Sequence, residues 1–220
     1  MKVAAVTGLA AEARILHRLG LAAAVSAGDA AVTEAMASRL IAAGADALMS
    51  FGIAGALDPA LAPGTLLLPR RVIAEDGASF DVDAPWRASV RARLHARGLM
   101  FVEDDLVGAA QVAATANEKA GLRCRTGAAA VDLESGVAAA AARRLARPFL
   151  VLRAIADPAD FRLPRAALVG LDKEGRAAVL PVLRALIAAP HELPSLMRLA
   201  LHTRRALAAL KRAAPEFRRD

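Results

Sequence analysis

Short apolar runs alternate along the chain with longer segments whose apolar residues recur at helical spacing. Continuous apolar runs bounded by glycine, proline or polar residues predict buried strands at 3–6, 47–51, 129–131 and 149–155. Extended segments are also predicted at 65–68 and 71–74, and helices at 11–19, 30–43, 86–96, 117–125 and 134–145. Strands that alternate with helices predict an α/β fold whose sheet has helices on both faces.

The pattern changes after residue 160. Prolines interrupt two further helical segments, predicted at 178–188 and 193–213. These segments are too short to bury a core of their own. We therefore predict one domain over residues 1–220, with an α/β core at 1–160 and a helical C-terminal extension at 161–220.

The amino-acid composition limits the kinds of molecule that the protein is expected to bind. The chain has 220 residues, of which 56% are hydrophobic, so it can bury a sizeable core. Aromatic residues make up only 3%, which argues against stacking surfaces for single-stranded nucleic acid. The net charge is +7, but more than half of this excess lies in residues 191–220. A DNA-binding face would carry its charge more evenly, so we expect no nucleic-acid partner.

No apolar segment reaches the length of about 20 residues that a membrane-spanning helix needs. The most apolar window, residues 42–57, is interrupted by Asp46. The single cysteine, Cys124, excludes an internal disulfide, and the four histidines show no metal-ligand spacing. We expect a cytoplasmic protein without a metal site.

Polar residues directly follow several of the predicted strands. Glu12 comes after the first strand, a glycine-rich segment predicted as a tight loop occupies 52–55, and the segments 132–135 and 157–160 each carry two acidic side chains. In open α/β sheets ligands bind at the carboxyl ends of strands, where these groups would converge. Taken singly, each carboxylate is also typical of a helix cap or a first helical turn. Together at one sheet edge they repel one another, which favours a functional site.

Three motifs resemble those of the nucleoside phosphorylases and nucleosidases. They are SFGIAGAL at 50–57 followed by PGTL at 63–66, AVDLES at 130–135, and PFLVLRAIADPAD at 148–160. The first twelve residues, glutamate included, are similar to the start of the methylthioadenosine/S-adenosylhomocysteine nucleosidases. The resemblance runs in order over the first 160 residues and implies a three-layer α/β/α fold with a mixed central sheet.

The resemblance implies roles that agree with the chemistry of N-glycosidic cleavage, in which the sugar becomes oxocarbenium-like and the departing purine accepts a proton. Asp157 stands where the family has the acid toward the purine ring. Glu134 matches the glutamate that accepts the ribose hydroxyls, and Leu133 replaces the methionine under the ribose. Arg153 is expected to hold a carboxylate in place rather than to touch substrate. The other implied substrate contacts are Ile53, Ala54, Gly55, Val112 and Ala113.

The nucleophile stays open between water and phosphate. Glu12 matches the glutamate with which nucleosidases orient water. Ser50 and Ile53 stand where bacterial phosphorylases hold phosphate with an arginine and a serine, and the corresponding loop serine of the nucleosidases is also absent. Hydrolysis and phosphorolysis therefore both remain, with phosphate as co-substrate in the second case and no cofactor expected in either.

One branch of the family, the hopanoid-associated phosphorylases, is similar in the start GLAAEAR at 8–14 and in the tail from residue 163 onward. This resemblance implies a lipid-linked purine nucleoside, adenosylhopane, as substrate and adenine as product. The family also implies a homodimer. The alternatives are a methylthioadenosine/S-adenosylhomocysteine-type nucleosidase, and a catalytically silent member that binds a nucleoside or a lipid.

The last predicted helix, 193–213, is amphipathic and basic. Leu193, Met197 and Leu210 belong to its broad apolar face, and Arg198 and Arg205 lie opposite. Such a helix can lie in the interface of an anionic membrane, here at its inner face. It can equally dock on its own α/β body or on a partner subunit, since docked surface helices are also amphipathic.

Overall fold

The structure is a computed structural model that describes residues 1–168, 172, 174–176 and 178–217. The strands along the described chain are β1 (Val3–Thr7), β2 (Ala22–Val25), β3 (Ala47–Ala56), β4 (Leu66–Leu67), β5 (Arg71–Ala74), β6 (Ser79–Asp81), β7 (Phe101–Val102), β8 (Leu106–Gly108), β9 (Ala130–Asp132) and β10 (Phe149–Asp157). The helices are α1 (Ala10–His17), α2 (Ala30–Ala42), α3 (Ala84–Ala96), α4 (Ala116–Thr126), α5 (Ser135–Arg144), α6 (Arg165–Leu168), α7 (Val179–Ala188) and α8 (Leu193–Ala213). Short 3-10 helices cover Pro190–Glu192 and Ala214–Phe217.

β3 lies at the centre of one mixed sheet. β1 and β10 run parallel to it on its two sides, so that Ser50 has Val6 as one neighbour and Val151 as the other. The pairing with β1 ends there, and the antiparallel strand β9 occupies the same edge of β3 from Gly55 onward. The sheet therefore forks along this edge, and no described strand pairs with residues 51–54 on that side.

Helices cover both faces of the sheet. α2 and α5 pack against each other and against β3, while α1 and α8 pack against each other, with α8 lying on β10. All nine residues of β10 are buried, as its continuous apolar run predicts for a strand covered on both faces. The arrangement confirms the predicted three-layer α/β/α fold with a mixed central sheet.

The predicted strands and long helices all form, but the prediction of a tight loop at 52–55 is wrong. These residues continue β3 as far as Ala56 and pair with β10 up to Gly55, with one shift of register between Ala54 and Gly55. Glycine is common in turns, but here it leaves room inside a strand for side chains that cross it. The pattern also gave no signal for the short strands β2, β6, β7 and β8.

The C-terminal extension is partly docked and partly exposed. The second half of α8 buries Ala206, Ala209, Leu210 and Ala213. Its first half and α7 instead expose six large apolar side chains, which we call the apolar ridge: Leu180, Leu183, Ile187, Leu193, Met197 and Leu201. The predicted apolar face of 193–213 is therefore divided between the body and the surface. Within the described part of the chain, the helices are too short or too polar to span a bilayer.

Two glycines let α5 approach the sheet closely. A Cβ added to Gly108, at the end of β8, would lie 2.3 Å from the backbone nitrogen of Gly136 and 2.5 Å from its Cα. Both neighbours are backbone atoms of the first turn of α5, so they cannot rotate away. The contact fixes the start of α5 against the sheet.

We expect Gly108→Ala to lower the free energy of unfolding by at least about 1–3 kcal/mol, the usual cost of overpacking, in urea titrations. Gly121→Ala in α4 is the matched control, because its Cβ would meet only the flexible guanidinium of Arg125, at 3.3 Å. That control should be neutral or more stable by up to about 1 kcal/mol, since alanine favours a helix. Wild-type stability in Gly108→Ala would contradict the close contact.

Candidate active site

A cavity of about 470 Å³ opens where the sheet forks, at the ends of β3, β9 and β10. This volume is typical of a small-molecule site. The structure brings together in its walls every residue predicted to touch substrate: Glu12, Ile53, Ala54, Gly55, Val112, Ala113, Leu133, Glu134 and Asp157. Sequence reasoning missed further wall residues from the loops after β1 and β2 and from the extension, among them Leu9, Gly28, Leu163, Leu168 and Leu199. The position of the predicted residues in the cavity wall does not test their roles toward a substrate, and these roles stay predictions.

Glu12 reaches the cavity from the first turn of α1 and is fully buried. Its Oε2 accepts a hydrogen bond from the Leu9 amide at 2.8 Å, and its Oε1 accepts one from the Ile53 amide, also at 2.8 Å. Burial raises the pKa of Glu12 above its usual value, while the Arg153 cation and these amide donors act against the rise. The carboxyl is thus tied to β3 at the fork.

Arg153 lies behind the cavity, fully buried on β10, and contacts two carboxylates. Its Nε is 2.5 Å from Asp132 Oδ2, and its Nη2 is 3.2 Å from Glu134 Oε2. Nη2 also donates to Ser50 Oγ at 2.6 Å. Arg153 is not part of the cavity wall, and these contacts agree with the expectation that it positions a carboxylate.

Glu134 follows β9 and directly precedes α5, with its side chain facing both Arg153 and the cavity. Burial raises the pKa of Glu134 to about 7; Asp132 and Glu12 add to the rise, and the Arg153 cation opposes it. The carboxyl therefore changes its charge near neutral pH.

Gly52 explains why β3 carries glycine beside this cluster. A Cβ on Gly52 would lie 2.4 Å from Arg153 Nη1 and 2.7 Å from both carboxylate oxygens of Glu12. Any side chain here would displace one of the two charged groups. Glycine is therefore needed at position 52 because the side chains of Arg153 and Glu12 lie against the strand there, and not because the chain turns.

Asp157 ends β10 opposite Gly55, after an irregularity in the pairing of the two strands. Its side chain is 11% exposed and lines the cavity. Burial raises the pKa of Asp157 above its usual value, whereas Lys119 lowers it. A carboxyl with a raised pKa in a cavity can act as a general acid.

Sequence reasoning missed Lys119, whose Nζ lies 2.5 Å from Asp157 Oδ2. Lys119 is in α4 and only 1% exposed. The available signal was its spacing: it precedes Leu122 by three residues and so shares the apolar face of the predicted helix. A lysine on an apolar face needs a partner, but the sequence does not say which one.

The C-terminal extension supplies a largely apolar wall of the cavity. Leu163, Ala167, Leu168 and Leu199 belong to this wall, which also includes the polar residues Asp172 and Thr203. Leu168 is half exposed and lies at the rim. The cavity therefore opens toward the segment that carries the apolar ridge.

A family model described as the phosphorylase superfamily matches residues 6–189. The chain belongs to the phosphorylase superfamily. This confirms the predicted class, an enzyme of the nucleoside phosphorylase and nucleosidase superfamily. No curated protein sequence matches the chain.

Solved structures of the superfamily share the fold at low sequence identity. Futalosine hydrolase from Helicobacter pylori aligns over 99% of this chain and 97% of its own, with a TM-score of 0.76 and 14% identity. The 5'-methylthioadenosine/S-adenosylhomocysteine nucleosidase from Neisseria meningitidis, in complex with methylthio-immucillin-A, aligns over 99% and 98%, with a TM-score of 0.73 and 16% identity. A mutant nucleosidase from Helicobacter pylori with 5'-methylthioadenosine in its active site aligns over 87% and 99%, with a TM-score of 0.69 and 17% identity.

If Glu134 accepts hydrogen bonds from a ribose, nucleoside affinity in this superfamily member should depend on pH. A carboxyl with a pKa of about 7 is ionised in about nine-tenths of molecules at pH 8 and about one-tenth at pH 6. We therefore expect a non-cleavable C-nucleoside of adenine to bind about tenfold more weakly at pH 6 than at pH 8, measured by calorimetry. Glu134→Gln should remove this dependence, and Glu34→Gln, at an exposed position, should keep it. Equal wild-type affinity at the two pH values would contradict the role.

Proposed function

We propose that the protein cleaves the N-glycosidic bond of a purine nucleoside. The observation that carries the proposal is that the buried carboxyls of Glu12, Glu134 and Asp157 line one cavity. Cleavage of this bond needs a proton for the departing base and negative charge near the oxocarbenium-like sugar. Membership of the phosphorylase superfamily supports the same chemistry.

In the proposed reaction Asp157 donates a proton to the purine ring as the electron pair of the C–N bond passes to the base. Glu134 accepts hydrogen bonds from the ribose hydroxyls while positive charge develops on the sugar. Glu12 orients the water that attacks the anomeric carbon and accepts its proton. Leu133 and the β3 segment 53–55 contact the nucleoside, as do Val112 and Ala113. Proton transfer and sugar stabilisation suffice, so the proposed reaction uses no organic cofactor or metal.

Hydrolysis is the version that the cavity supports better. Among the described residues that line it there is no arginine or lysine to hold phosphate. Ser50, at one of the phosphate-holding positions of the phosphorylases, is buried and accepts a hydrogen bond from Arg153 instead. Phosphate as co-substrate is the alternative, and an assay with and without it decides between the two.

The proposed substrate is an adenine nucleoside with a large apolar 5' substituent, such as adenosylhopane. The largely apolar wall from the C-terminal extension supports this choice, because it would face a substituent that leaves the site toward that extension. A nucleosidase for methylthioadenosine or S-adenosylhomocysteine is the second candidate, because solved structures of such enzymes share the fold.

The main experiment follows adenine release from adenosylhopane, methylthioadenosine and adenosine, each with and without phosphate. We expect the fastest release from adenosylhopane, and none that requires phosphate. Asp157→Asn should lower kcat by about 10²–10⁴-fold and change KM far less, because asparagine keeps the shape but has no acidic proton.

Asp160→Asn, three residues further on, is the matched control and should keep wild-type turnover. Turnover of Asp157→Asn within a factor of two of wild type would remove Asp157 from the acid role. Tight nucleoside binding by the wild-type protein without release of base from any substrate would favour a catalytically silent member of the fold.

We also propose that the apolar ridge of α7 and α8 contacts the inner face of an anionic membrane. Four exposed arginines in the same region, Arg162, Arg165, Arg184 and Arg198, would meet lipid headgroups. Exposed apolar side chains beside basic residues are typical of helices that lie in a membrane interface. A lipid-linked nucleoside dissolved in that membrane would then reach the cavity from the side of the protein that contacts the membrane.

Flotation with vesicles of phosphatidylglycerol and phosphatidylcholine tests this surface. We expect the wild-type protein to float, and Leu183→Ser/Ile187→Ser/Met197→Ser to lose at least about nine-tenths of its binding, because each change removes exposed apolar area that the membrane would bury. Met100→Ser is the control, since Met100 is 85% exposed but lies outside the ridge. Equal flotation of the triple variant and the wild type would contradict the proposal.

The homodimer implied by the family is a further proposal, and light scattering on the same variants tests it. A wild-type dimer that becomes a monomer in the triple variant, without flotation of either protein, would assign the ridge to a subunit interface instead.

A further inference from the structure

The ammonium group of Lys119 has three acceptors and almost no contact with solvent. Its Nζ donates to Asp157 Oδ2 at 2.5 Å, to the carbonyl oxygen of Pro158 at 2.7 Å and to that of Phe161 at 3.0 Å. A lysine ammonium has three N–H donors, and these acceptors use all of them. The group is therefore held in one position, in its charged form.

Burying a charged lysine only to fix the position of a loop would be unfavourable in free energy. Burial of an ammonium group carries a desolvation penalty that neutral carbonyl partners alone do not offset. When Asp157 is ionised, its carboxylate supplies a negative charge that offsets this penalty. The two groups therefore belong together, and the charge of one affects the proton affinity of the other.

We propose that Lys119 is a positioning residue that acts on the reaction through Asp157; this inference rests on the proposed function. The ammonium holds Oδ2 and leaves the other carboxyl oxygen, Oδ1, to carry the proton toward the purine. When that proton passes to a ring nitrogen and the C–N electron pair goes to the base, Asp157 becomes a carboxylate, which the Lys119 cation stabilises. Lys119 keeps its own three protons throughout, and Asp157 regains its proton from water after the base leaves.

Among the described residues, His202 of α8 is a second titratable side chain that acts on Asp157. Partial burial lowers the pKa of His202, and Arg205 and Arg198 on the same helix lower it further. On the β3 side the neighbour of Asp157 is Gly55, which has no side chain. Lys119 is therefore the principal cation at this carboxyl.

Three variants separate charge from packing at this position. Lys119→Arg keeps the positive charge, Lys119→Gln keeps donors for the two carbonyls without the charge, and Lys119→Met has neither. We expect the basic limb of the kcat–pH profile, where the protonated form of Asp157 is lost, to shift upward by at least about one pH unit in the Gln and Met variants. In the Arg variant it should stay within about 0.3 units of wild type. His202→Gln is the control for the second titratable group, and it should move the limb less than Lys119→Gln does.

The split between kcat and KM gives a second readout. We expect Lys119→Gln to lower kcat at least about tenfold at the pH optimum and to change KM less than about threefold, because the nascent carboxylate loses its cation while the nucleoside keeps its contacts. A lower kcat in all three variants with an unshifted basic limb would show a purely structural clamp and overturn the proposal. If Lys119→Met does not fold, the Gln and Arg variants decide.

A titration without turnover separates this inference from the proposed function. The carboxyl carbon of Asp157 can be followed by NMR in protein labelled with ¹³C-aspartate and assigned with Asp157→Asn. We expect its midpoint to be higher in Lys119→Gln than in wild type. An unchanged midpoint overturns the inference even if the enzyme releases adenine. A shifted midpoint in a protein that releases no base supports the coupling of the two groups and rejects the proposed function.

Discussion

Among the described residues, the buried guanidinium of Arg153 lies behind a cavity whose walls carry the buried carboxyl groups of Glu12, Asp132, Glu134 and Asp157. Two of these groups, those of Asp132 and Glu134, pair with it directly, and its charge also acts on Glu12. Burial raises the pKa of Glu12 and of Glu134, and this cation acts against the rise at both groups. The cation also constrains the local backbone, because position 52 must be glycine to leave room for the guanidinium and for Glu12.

The cavity has two electrostatic halves, each with its own cation. Arg153 serves Glu134 and Glu12, on the side assigned here to the sugar and the nucleophile. Lys119 serves Asp157, on the side assigned to the base. Separate cations let carboxyls in one cavity differ in proton affinity, which is what a reaction with one acid and one anionic stabiliser requires. The charged groups of the two halves come from α1, from α4, from β10 and from the segment between β9 and α5, which are distant from one another in the sequence.

Some parts of this molecule could be predicted from local sequence and others could not. β10 was predictable because nine buried positions in a row leave a continuous apolar run, and Glu12, Glu134 and Asp157 because each follows a strand. β2 was not, because its sequence AAAV suits a helix equally well and only its pairing with β1 makes it a strand. The prediction of a tight loop at 52–55 was wrong for a related reason. In the sequence alone, a glycine that leaves room for side chains from distant positions cannot be distinguished from a glycine that a turn requires. The partner of Lys119 lies 38 residues away, beyond the reach of any spacing rule.

The fork in the sheet has a consequence for the backbone of β3. Strand pairing on that edge stops at Ser50 and resumes at Gly55, so the amide of Ile53 lacks a strand partner there and donates to a side chain, that of Glu12. A carboxylate thus occupies a place in the hydrogen-bond ladder that a neighbouring strand would otherwise fill. Protonation of Glu12 at Oε1 would weaken this hydrogen bond as well as change a charge. The hydrogen bond from the Ile53 amide to Glu12 Oε1 therefore helps to hold β3 in the sheet and also depends on the protonation state of a proposed catalytic residue.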